Sequence, residues 1–199
     1  MERRTNEERS RLTRDKLLAA ARELFNAHGY AGTAIDDIAE SAGVTRGAVY
    51  HHFGGKQPLF RAVIEQIQDE LADHVERNTD KYDDPWDAFV GGWLSALEEI
   101  PTGGTGRLLM LEGPAVLGYQ DWQSIDDAHY QDTVTLAVDY FMGEGIITPQ
   151  PIEPVVRVLL TFSNALLTLI STSDDPEATR AAIAPVWAQL LNGLRASPP

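Results

Sequence analysis

Hydrogen-bond donors recur one helical turn apart in residues 46–53 of the sequence. Arg46 and Tyr50 are four residues apart, and so are Gly47 and His51, so each pair shares a face if the segment is helical. An arginine on such a face can donate two hydrogen bonds to O6 and N7 of a guanine, and the Tyr50 hydroxyl can reach a phosphate. The spacing of these donors therefore favours contact with DNA.

The residues around these donors suit the same partner. Gly47 and Ala48 are small enough to let a helix lie deep in a groove. Lys56 places a cation at the start of the next predicted helix, where free amides already favour anions. Two alternatives remain open, namely that Arg46 contacts only phosphate and that His51 is a solvated surface residue.

A helix-turn-helix over about residues 33–53 would position these side chains. Ala39 and Ala42 are small where two short helices must approach closely, and Gly43 supplies the turn between them. Apolar residues at matching offsets would face the preceding helix: Ile35, Ile38, Val44 and Val49. In this motif the second helix enters the major groove, with its N-terminal residues nearest the base edges. The alternative is a helical hairpin that binds no DNA.

Helices are predicted for nearly the whole chain, because apolar residues recur at spacings of three and four without sustained alternation. We expect Gly29 to end the first helix, Thr33 to cap the second together with Asp36, and Pro185 to kink the last. The predicted helices are 9–27, 34–42, 46–53, 57–78, 85–100, 105–113, 121–145, 154–171 and 176–194, with breaks at 101–104, 113–114 and 148–151. The sequence thus predicts an all-α fold.

Charge is unevenly distributed along the 199 residues, whose net charge is −14. Residues 1–61 contain ten Lys or Arg and eight Asp or Glu, whereas residues 62–199 contain six and 22. A DNA footprint needs only a local basic surface, so the acidic remainder would confine contact to the N-terminal end. The alternative is that the asymmetry only aids solubility.

Several classes of protein are disfavoured by what the sequence contains. It has no cysteine, which excludes disulfides and thiolate metal sites. The N-terminus stays polar, and the longest apolar run, 155–170, includes polar residues and is shorter than the roughly 20 residues of a membrane span. Phosphate-binding glycine loops, nucleophile elbows and metal-ligand spacings are not found. We therefore expect a soluble cytoplasmic protein that is not an enzyme, needs no cofactor or metal and contacts no membrane.

The predicted helix-turn-helix resembles the N-terminal domain of the TetR family of bacterial regulators. The resemblance covers residues 29–64 and rests on GTAIDDIA at 32–39, AGVTRG at 42–47 and VYHHF at 49–53, followed by Lys56 and by Leu59 and Phe60. It implies phosphate contacts at Thr33, Thr45, Tyr50 and Lys56, and base contacts at Arg46, Gly47 and His51.

The resemblance also implies a three-helix DNA-binding domain, which we place at 1–56, and a helical ligand-binding and dimerisation domain at 57–199. The segment 154–171 is apolar on nearly every face and 176–194 carries an apolar stripe, so two copies of each could form a four-helix bundle across a two-fold axis. The expected interface residues are Val155, Val158, Leu159, Phe162, Leu166, Val186, Trp187, Leu190 and Leu194. The alternative is that both helices cover the core of their own subunit.

A ligand pocket is predicted within 85–145, which holds three of the four tryptophans, because small-molecule pockets are mostly apolar and aromatic. The candidate lining residues are Trp86, Phe89, Trp93, Leu108, Met110, Leu111, Phe141 and Met142, with Arg107, Glu112, His129 and Asn164 as polar groups. Core packing is the alternative for each aromatic residue. The lining predicts an apolar or aromatic effector, and the acidic surroundings favour a neutral or cationic one.

Taken together, these features predict a repressor that binds a palindromic operator in double-stranded DNA as a homodimer and is released by a small-molecule inducer. One alternative is a DNA-binding regulator controlled by a protein partner, and another is a small helical enzyme or transporter accessory protein. His129 with Asp126 and Asp132 is expected to form a solvated helix face rather than a metal site.

Overall fold

The computed structural model describes residues 5–99 and 104–196, and within them the fold is all-α, as predicted. A π-helical turn, Leu108–Glu112, joins the sixth helix to the seventh. The α-helices are α1 (Asn6–Gly32), α2 (Ile35–Ser41), α3 (Arg46–Phe53), α4 (Lys56–Thr79), α5 (Pro85–Glu99), α6 (Thr105–Arg107), α7 (Gly113–Leu117), α8 (Tyr119–Gly143), α9 (Ile152–Ser171) and α10 (Pro176–Asn192). Most of the predicted break at 101–104 lies outside the described residues.

The first helix begins with a capping box and is interrupted near its end by Gly29. Thr5 Oγ1 accepts a hydrogen bond from Glu8 N at 3.2 Å, and Glu8 Oε2 accepts one from Thr5 N at 2.9 Å. Gly29 has a φ of +72°, a left-handed conformation that glycine adopts at little cost. The chain completes a further turn to Gly32, so Gly29 kinks the helix where the sequence predicted that it would end.

The second helix starts one residue later than predicted. Its N-cap is Ala34 instead of Thr33, and Asp37 Oδ2, rather than Asp36, accepts a hydrogen bond from Ala34 N at 3.3 Å. Thr33 cannot serve as the cap because its side chain is buried and its hydroxyl is directed at carbonyls near the end of α1. Thr45 occupies the N-cap position of α3, as predicted.

Helix α2 packs on α1 and on α3, and both α1 and α3 pack on α4, which gives α3 a rigid base. Ile38 of α2 and Val49 of α3 are fully buried in this core. Phe25 of α1 and Phe60 of α4 meet edge to face, with their ring centroids 5.1 Å apart. Because the inner face of α3 is filled by these contacts, its opposite face is directed to solvent.

Helix α4 belongs to both halves of the molecule. It packs on α1 and α3, and it also packs on α5 and α8. The buried apolar side chains form one contiguous core, whose members range in sequence from Leu17 in α1 to Leu191 in α10. The domain boundary that we place after residue 56 therefore falls at the start of a shared helix, Lys56–Thr79, and it stays a prediction.

Helices α5, α8, α9 and α10 form the C-terminal half. Helix α9 has the length and apolar composition of a membrane span, but it packs on α8 and α10 and buries seven residues from Val156 to Ile170. Helix α10 continues through Pro185 to Asn192. The predicted helix 105–113 is instead a composite of α6, the π-helical turn and the first residue of α7.

Candidate DNA interface and effector cavity

The outer face of α3 presents the side chains that the sequence singled out. Arg46, Gly47, Tyr50 and His51 are exposed, and Ala48 is half-buried. The opposite face of α3 packs against α2 and α4, and Val49 on that face is fully buried. The exposed face of α3 is therefore the surface that can approach DNA.

Arg46 is held between α2 and its own helix. Its Nη1 pairs with Asp36 Oδ2 at 2.7 Å, and its Nη2 donates to the Tyr50 hydroxyl at 3.3 Å. The hydrogen bond to Tyr50 and the charge of Asp36 both raise the pKa of Arg46. The guanidinium is thus extended along the exposed face, but it must exchange Asp36 for any base or phosphate that it binds.

The predicted phosphate ligands are placed differently from one another. Thr45 is exposed and its side chain makes no capping hydrogen bond, so its hydroxyl is available. The Lys56 ammonium lies 4.3 Å from the centre of the Tyr30 ring, a cation–π contact that orients it. Thr33 is only 2% exposed, and its hydroxyl is directed at Gly29 O at 2.8 Å, which leaves that side chain no exposed donor for a phosphate.

A cavity of about 410 Å³ lies in the C-terminal half, bounded by α4, α5, α8, α9 and the π-helical turn. Three of the predicted lining residues contribute to it, Phe89, Trp93 and Met110. Two polar candidates, His129 and Asn164, also line it. Its wall is mostly apolar, as a small-molecule site requires.

The other seven proposed lining residues lie outside this cavity. Among them, Leu108 is buried in the core and Met142 is half-buried. Trp86 and Phe141 are buried against each other, with ring centroids 5.1 Å apart, and Trp86 Nε1 donates to Asn192 Oδ1. Leu111 points outward and is exposed. The remaining two, Arg107 and Glu112, contact α1 instead, because the π-helical turn directs them away from the cavity.

One end of the cavity is polar and is built around Asp126, which is buried rather than solvated as the sequence suggested. Gln68 Nε2 donates to Asp126 Oδ1 at 3.1 Å, and Asn164 Nδ2 donates to Asp126 Oδ2 at 2.8 Å. Burial raises the pKa of Asp126, although the hydrogen bonds from Asn164 and Gln68 oppose that rise. This carboxyl group thus sits where its charge is only partly compensated.

Two further titratable groups surround Asp126. The Tyr130 hydroxyl donates to Gln68 Oε1 at 3.1 Å, and burial raises the pKa of Tyr130. His129 contacts the Ile125 carbonyl and Asp69. Burial lowers the pKa of His129, but these contacts together outweigh the effect of burial, so the net shift of the pKa is upward. No group of three His, Cys, Asp or Glu within 5–99 and 104–196 could hold a metal ion.

A cluster that we call the clasp joins the π-helical turn to the kinked end of α1. Arg107 pairs with Glu112, and its Nη2 donates to the carbonyl oxygens of Phe25 at 3.2 Å and Asn26 at 3.0 Å. Glu112 Oε2 accepts a hydrogen bond from Tyr30 N at 2.6 Å. A methyl group on Gly29 would lie 2.8 Å from both charged side chains, so this glycine lets the clasp approach the backbone.

The predicted dimer residues divide into two groups. Val158, Phe162, Val186 and Leu190 are exposed, which leaves an apolar surface on α9 and α10. The Phe162 and Trp187 rings are 5.2 Å apart, so the two helices present this surface side by side. By contrast, three of the predicted residues are buried within the subunit: Leu159, Leu166 and Trp187. Two others, Val155 and Leu194, are half-buried.

Two family models match the chain in succession. The model described as bacterial regulatory proteins, tetR family, matches residues 17–63. The model described as tetracyclin repressor-like, C-terminal domain, matches residues 86–194, which is more than half of the chain. The first match spans the helix-turn-helix and the second spans α5 to α10, whereas the part of α4 that lines the cavity lies between the two matches.

Individual relatives agree with these models. The HTH-type transcriptional regulator TtgR of Pseudomonas putida is 43% identical over 84 residues, which are 42% of this chain and 39% of TtgR. The HTH-type transcriptional repressor AcnR of Corynebacterium efficiens is 38% identical over 66 residues, 33% of this chain and 35% of AcnR. The chain therefore spans well under half the length of these curated relatives. The crystal structure of a TetR-family transcriptional regulator from Pectobacterium atrosepticum has a TM-score of 0.83 at 30% identity, covering 98% of this chain and 100% of that one.

Proposed function

The chain belongs to the TetR family of bacterial regulatory proteins, so it is a transcriptional regulator and not an enzyme, and we propose that it is a ligand-released repressor. In this proposal a homodimer binds a palindromic operator in the cytoplasm and leaves it when a small molecule occupies the cavity. The observation that carries the proposal is the position of α4. This helix begins at Lys56, beside α3, and lines the cavity from Gln68 to Thr79.

Helix α3 acts as the recognition helix in this proposal. It enters the major groove with Arg46, Gly47 and His51 toward the bases, and Thr45, Tyr50 and Lys56 contact phosphates on either side. The exposure of Arg46, Gly47, Tyr50 and His51 on one face of α3 supports this assignment. Asp36 would be displaced from Arg46 when the guanidinium turns to a guanine.

The apolar surface on α9 and α10 supports a homodimer. Val158 is 65% exposed and Val186 is 57% exposed, although both belong to helices with extensive buried faces. Contiguous exposed apolar surface of this kind marks an interaction site in soluble proteins. Two copies of α9 and α10 would cover it as a four-helix bundle with two-fold symmetry.

The clasp supplies a route from the cavity to α1. Leu109 and Met110 line the cavity, and they lie in the π-helical turn between Arg107 and Glu112. A ligand that displaces this turn would shift both charged side chains, which hold the backbone of α1. The effector would thereby move the three-helix unit relative to its counterpart in the dimer.

The DNA assignment is tested by comparing Arg46→Ala with Lys56→Ala on an operator selected from random duplexes. Arg46→Ala should weaken operator binding about 10- to 100-fold and relax the preference at one base position in each half-site. Lys56→Ala should weaken all sequences similarly and lower the salt slope by about one. Unchanged affinity and preference in Arg46→Ala would contradict the base-reading role.

Footprinting of the selected operator tests the remaining parts of the proposal. We expect a two-fold symmetric site with both half-sites on one face of the duplex, because a closed dimer presents two recognition helices. A single asymmetric half-site saturated by a monomer would contradict the dimer. If compounds that raise the melting temperature of the protein never change its operator affinity, control by a protein partner becomes the better explanation.

A further inference from the structure

We propose that the cavity selects an organic cation with an apolar or aromatic body, and that Asp126 is the group that binds its charge. This inference rests on the proposed function in one respect, which is that the bound cation would be the effector of the repressor. The structural argument has three parts, which are the charge of the cavity wall, the bonding capacity of Asp126 and the aromatic surface that faces it.

The described wall of the cavity carries three carboxyl groups and one basic side chain, His129, which is itself paired with Asp69 at 2.9 Å. Asp73, Glu76 and Asp126 line it, and no lysine or arginine occurs among the lining residues that the structure describes. Arg157 lines an adjoining cavity that shares Asp126 with this one, and it is paired with Asp127 at 3.1 Å. An anion entering the cavity would therefore meet net repulsion, whereas a cation would be attracted.

Asp126 retains capacity to bind a ligand. An ionised carboxylate offers about four acceptor positions, and the amides of Gln68 and Asn164 occupy one on each oxygen. The Tyr130 hydroxyl bonds to the Gln68 carbonyl oxygen, which fixes the Gln68 amide with its NH₂ group toward Asp126. The two amides favour the ionised form of this carboxyl group against the effect of its burial, and its free acceptor positions are open to a donor from the cavity.

Burial makes this carboxylate responsive to a cation. Asp126 is only 4% exposed, and desolvation raises its pKa although the charge of His129 lowers it, so its ionised form is only partly compensated in the empty protein. A positively charged ligand group would supply that charge within the low-dielectric wall, where the attraction is stronger than in water. A neutral donor of the same shape would supply only a hydrogen bond.

The rest of the cavity suits an apolar or aromatic body. Phe89 and Trp93 line it, with their rings edge to face and 6.0 Å apart at the centroids. Met110 and Leu160 add flexible and branched apolar surface beside Asp126. A flat aromatic group attached to a cationic centre would bury its ring against these side chains while the charge reaches the carboxylate.

The test compares three probes of nearly equal shape and different charge: 1-naphthylmethylammonium, 1-naphthalenemethanol and 1-naphthoate. Binding is measured calorimetrically at pH 7 on the full-length protein, on Asp126→Asn and on the control Asp73→Asn. Asp73 is an exposed carboxylate of the same cavity wall, so the control removes one negative charge without touching the buried site. Thermal unfolding establishes that each variant is folded.

We expect the ammonium to bind the unmodified protein at least about tenfold more tightly than the alcohol, and the naphthoate to bind most weakly. The reason is that hydrogen bonds between charged groups are stronger than those between neutral groups. Asp126→Asn should reduce the ammonium preference to within about twofold, and Asp73→Asn should keep most of it. Equal binding of the three probes to the unmodified protein, or no binding of the ammonium, overturns the proposal without any variant. Retention of the full preference in Asp126→Asn overturns the role of Asp126.

Operator release is measured separately with the same probes, so that the two proposals fail independently. Charge-selective binding that leaves operator affinity unchanged supports the cation site and contradicts the ligand-released repressor. Release of the operator by neutral or anionic compounds, in a protein without preference for the ammonium, supports the repressor and overturns the cation site.

Discussion

Replacing Glu112 by glutamine should weaken the clasp and uncouple the cavity from the DNA-binding unit. The substitution keeps the length of the side chain and one acceptor oxygen, but it removes the charge that pairs with Arg107. Since Glu112 uses one carboxylate oxygen for Arg107 and the other for Tyr30 N, the single oxygen of glutamine can accept from only one of these two donors. The α1 backbone would consequently be held less firmly to the π-helical turn.

The expected loss of stability follows from the exposure of the pair. The Glu112 side chain is 20% exposed and Arg107 is 37% exposed, so the pair lies between the surface and the buried cases. Exposed pairs contribute about 0–1 kcal/mol, whereas removing one partner from a buried pair costs about 3–5 kcal/mol. We therefore expect Glu112→Gln to lower the unfolding free energy by about 1–2 kcal/mol, equivalent to a fall of about 2–8 °C in Tm for a chain of this size.

The decisive measurement is the effect of an effector on operator affinity. If unmodified protein loses about 100-fold in operator affinity on saturation, the coupling free energy is about 2.7 kcal/mol. Glu112→Gln should bind the effector within about twofold of the unmodified protein, because Glu112 does not line the cavity. Its operator affinity should nevertheless respond about tenfold less to that effector.

A matched control is available in Glu65, which pairs with Arg61 within α4 at 2.9 Å and joins no two elements. Glu65→Gln should change Tm by less than about 2 °C and leave the effector response intact. Equal effects of the two substitutions on Tm would refute the stabilising role of the clasp. A normal effector response in a destabilised Glu112→Gln would show that the signal takes another route.

Three further predictions concern the other sites. Asp36→Asn should tighten operator binding about two- to fivefold in a mobility-shift titration, because Arg46 then has no ion pair to break; weaker binding would mean that Asp36 positions the arginine. Val158→Glu should yield a monomer in size-exclusion chromatography with light scattering, whereas Leu136→Glu, on the exposed face of α8, should leave the dimer intact; the reverse result would place the interface on α8. Because burial raises the folded-state pKa of Asp126, unmodified protein should lose stability relative to Asp126→Asn as the pH rises through that pKa, and a pH-independent difference in urea unfolding would contradict the shift.

The helix-turn-helix could be predicted in detail because its signals are local. Ala39, Ala42 and Gly43 are required by the close crossing of two helices that adjoin in sequence, and Val49 identifies the inner face of the second. The error at Thr33 arose because a hydroxyl before a helix has two possible uses. It can cap the helix that follows, or it can bind the carbonyls of the helix before it, as it does here.

The polar end of the cavity could not be predicted, because it is assembled from residues that are distant in sequence. Asp126 receives hydrogen bonds from Gln68 on α4 and Asn164 on α9, which lie 58 and 38 positions away. One signal was present: Gln68 interrupts an apolar stripe between Ile64 and Leu71 at a position that helical periodicity assigns to the core. A polar residue at such a position indicates a buried partner.

The clasp was missed for a different physical reason. Arg107 and Glu112 are five residues apart, and in an α-helix they would project about 140° from each other. The π-helical turn between them hydrogen-bonds with a spacing of five residues, which brings the two side chains to the same side. Sequence periodicity cannot distinguish this local change of helical form, so both residues were assigned to the cavity instead of the contact with α1.

In the proposed mechanism, α4 and the clasp both connect the cavity to the DNA-binding unit, and the length of α4 would let a small displacement release DNA. Gln68 lies 12 residues along α4 from Lys56, which is about 18 Å at 1.5 Å per residue. If the clasp yields and α4 tilts by about 10°, the Lys56 end moves by about 3 Å, which is as long as a hydrogen bond. The operator fixes the separation of the two recognition helices, so a shift of that size removes contacts from at least one half-site. The effector must favour the tilted state by differential affinity, since a ligand that binds both states equally shifts neither. Asp126 accepts a hydrogen bond from Gln68 of α4 and lines the cavity together with Met110 of the π-helical turn, so in this proposal a cation bound at Asp126 would act on α4 near Gln68.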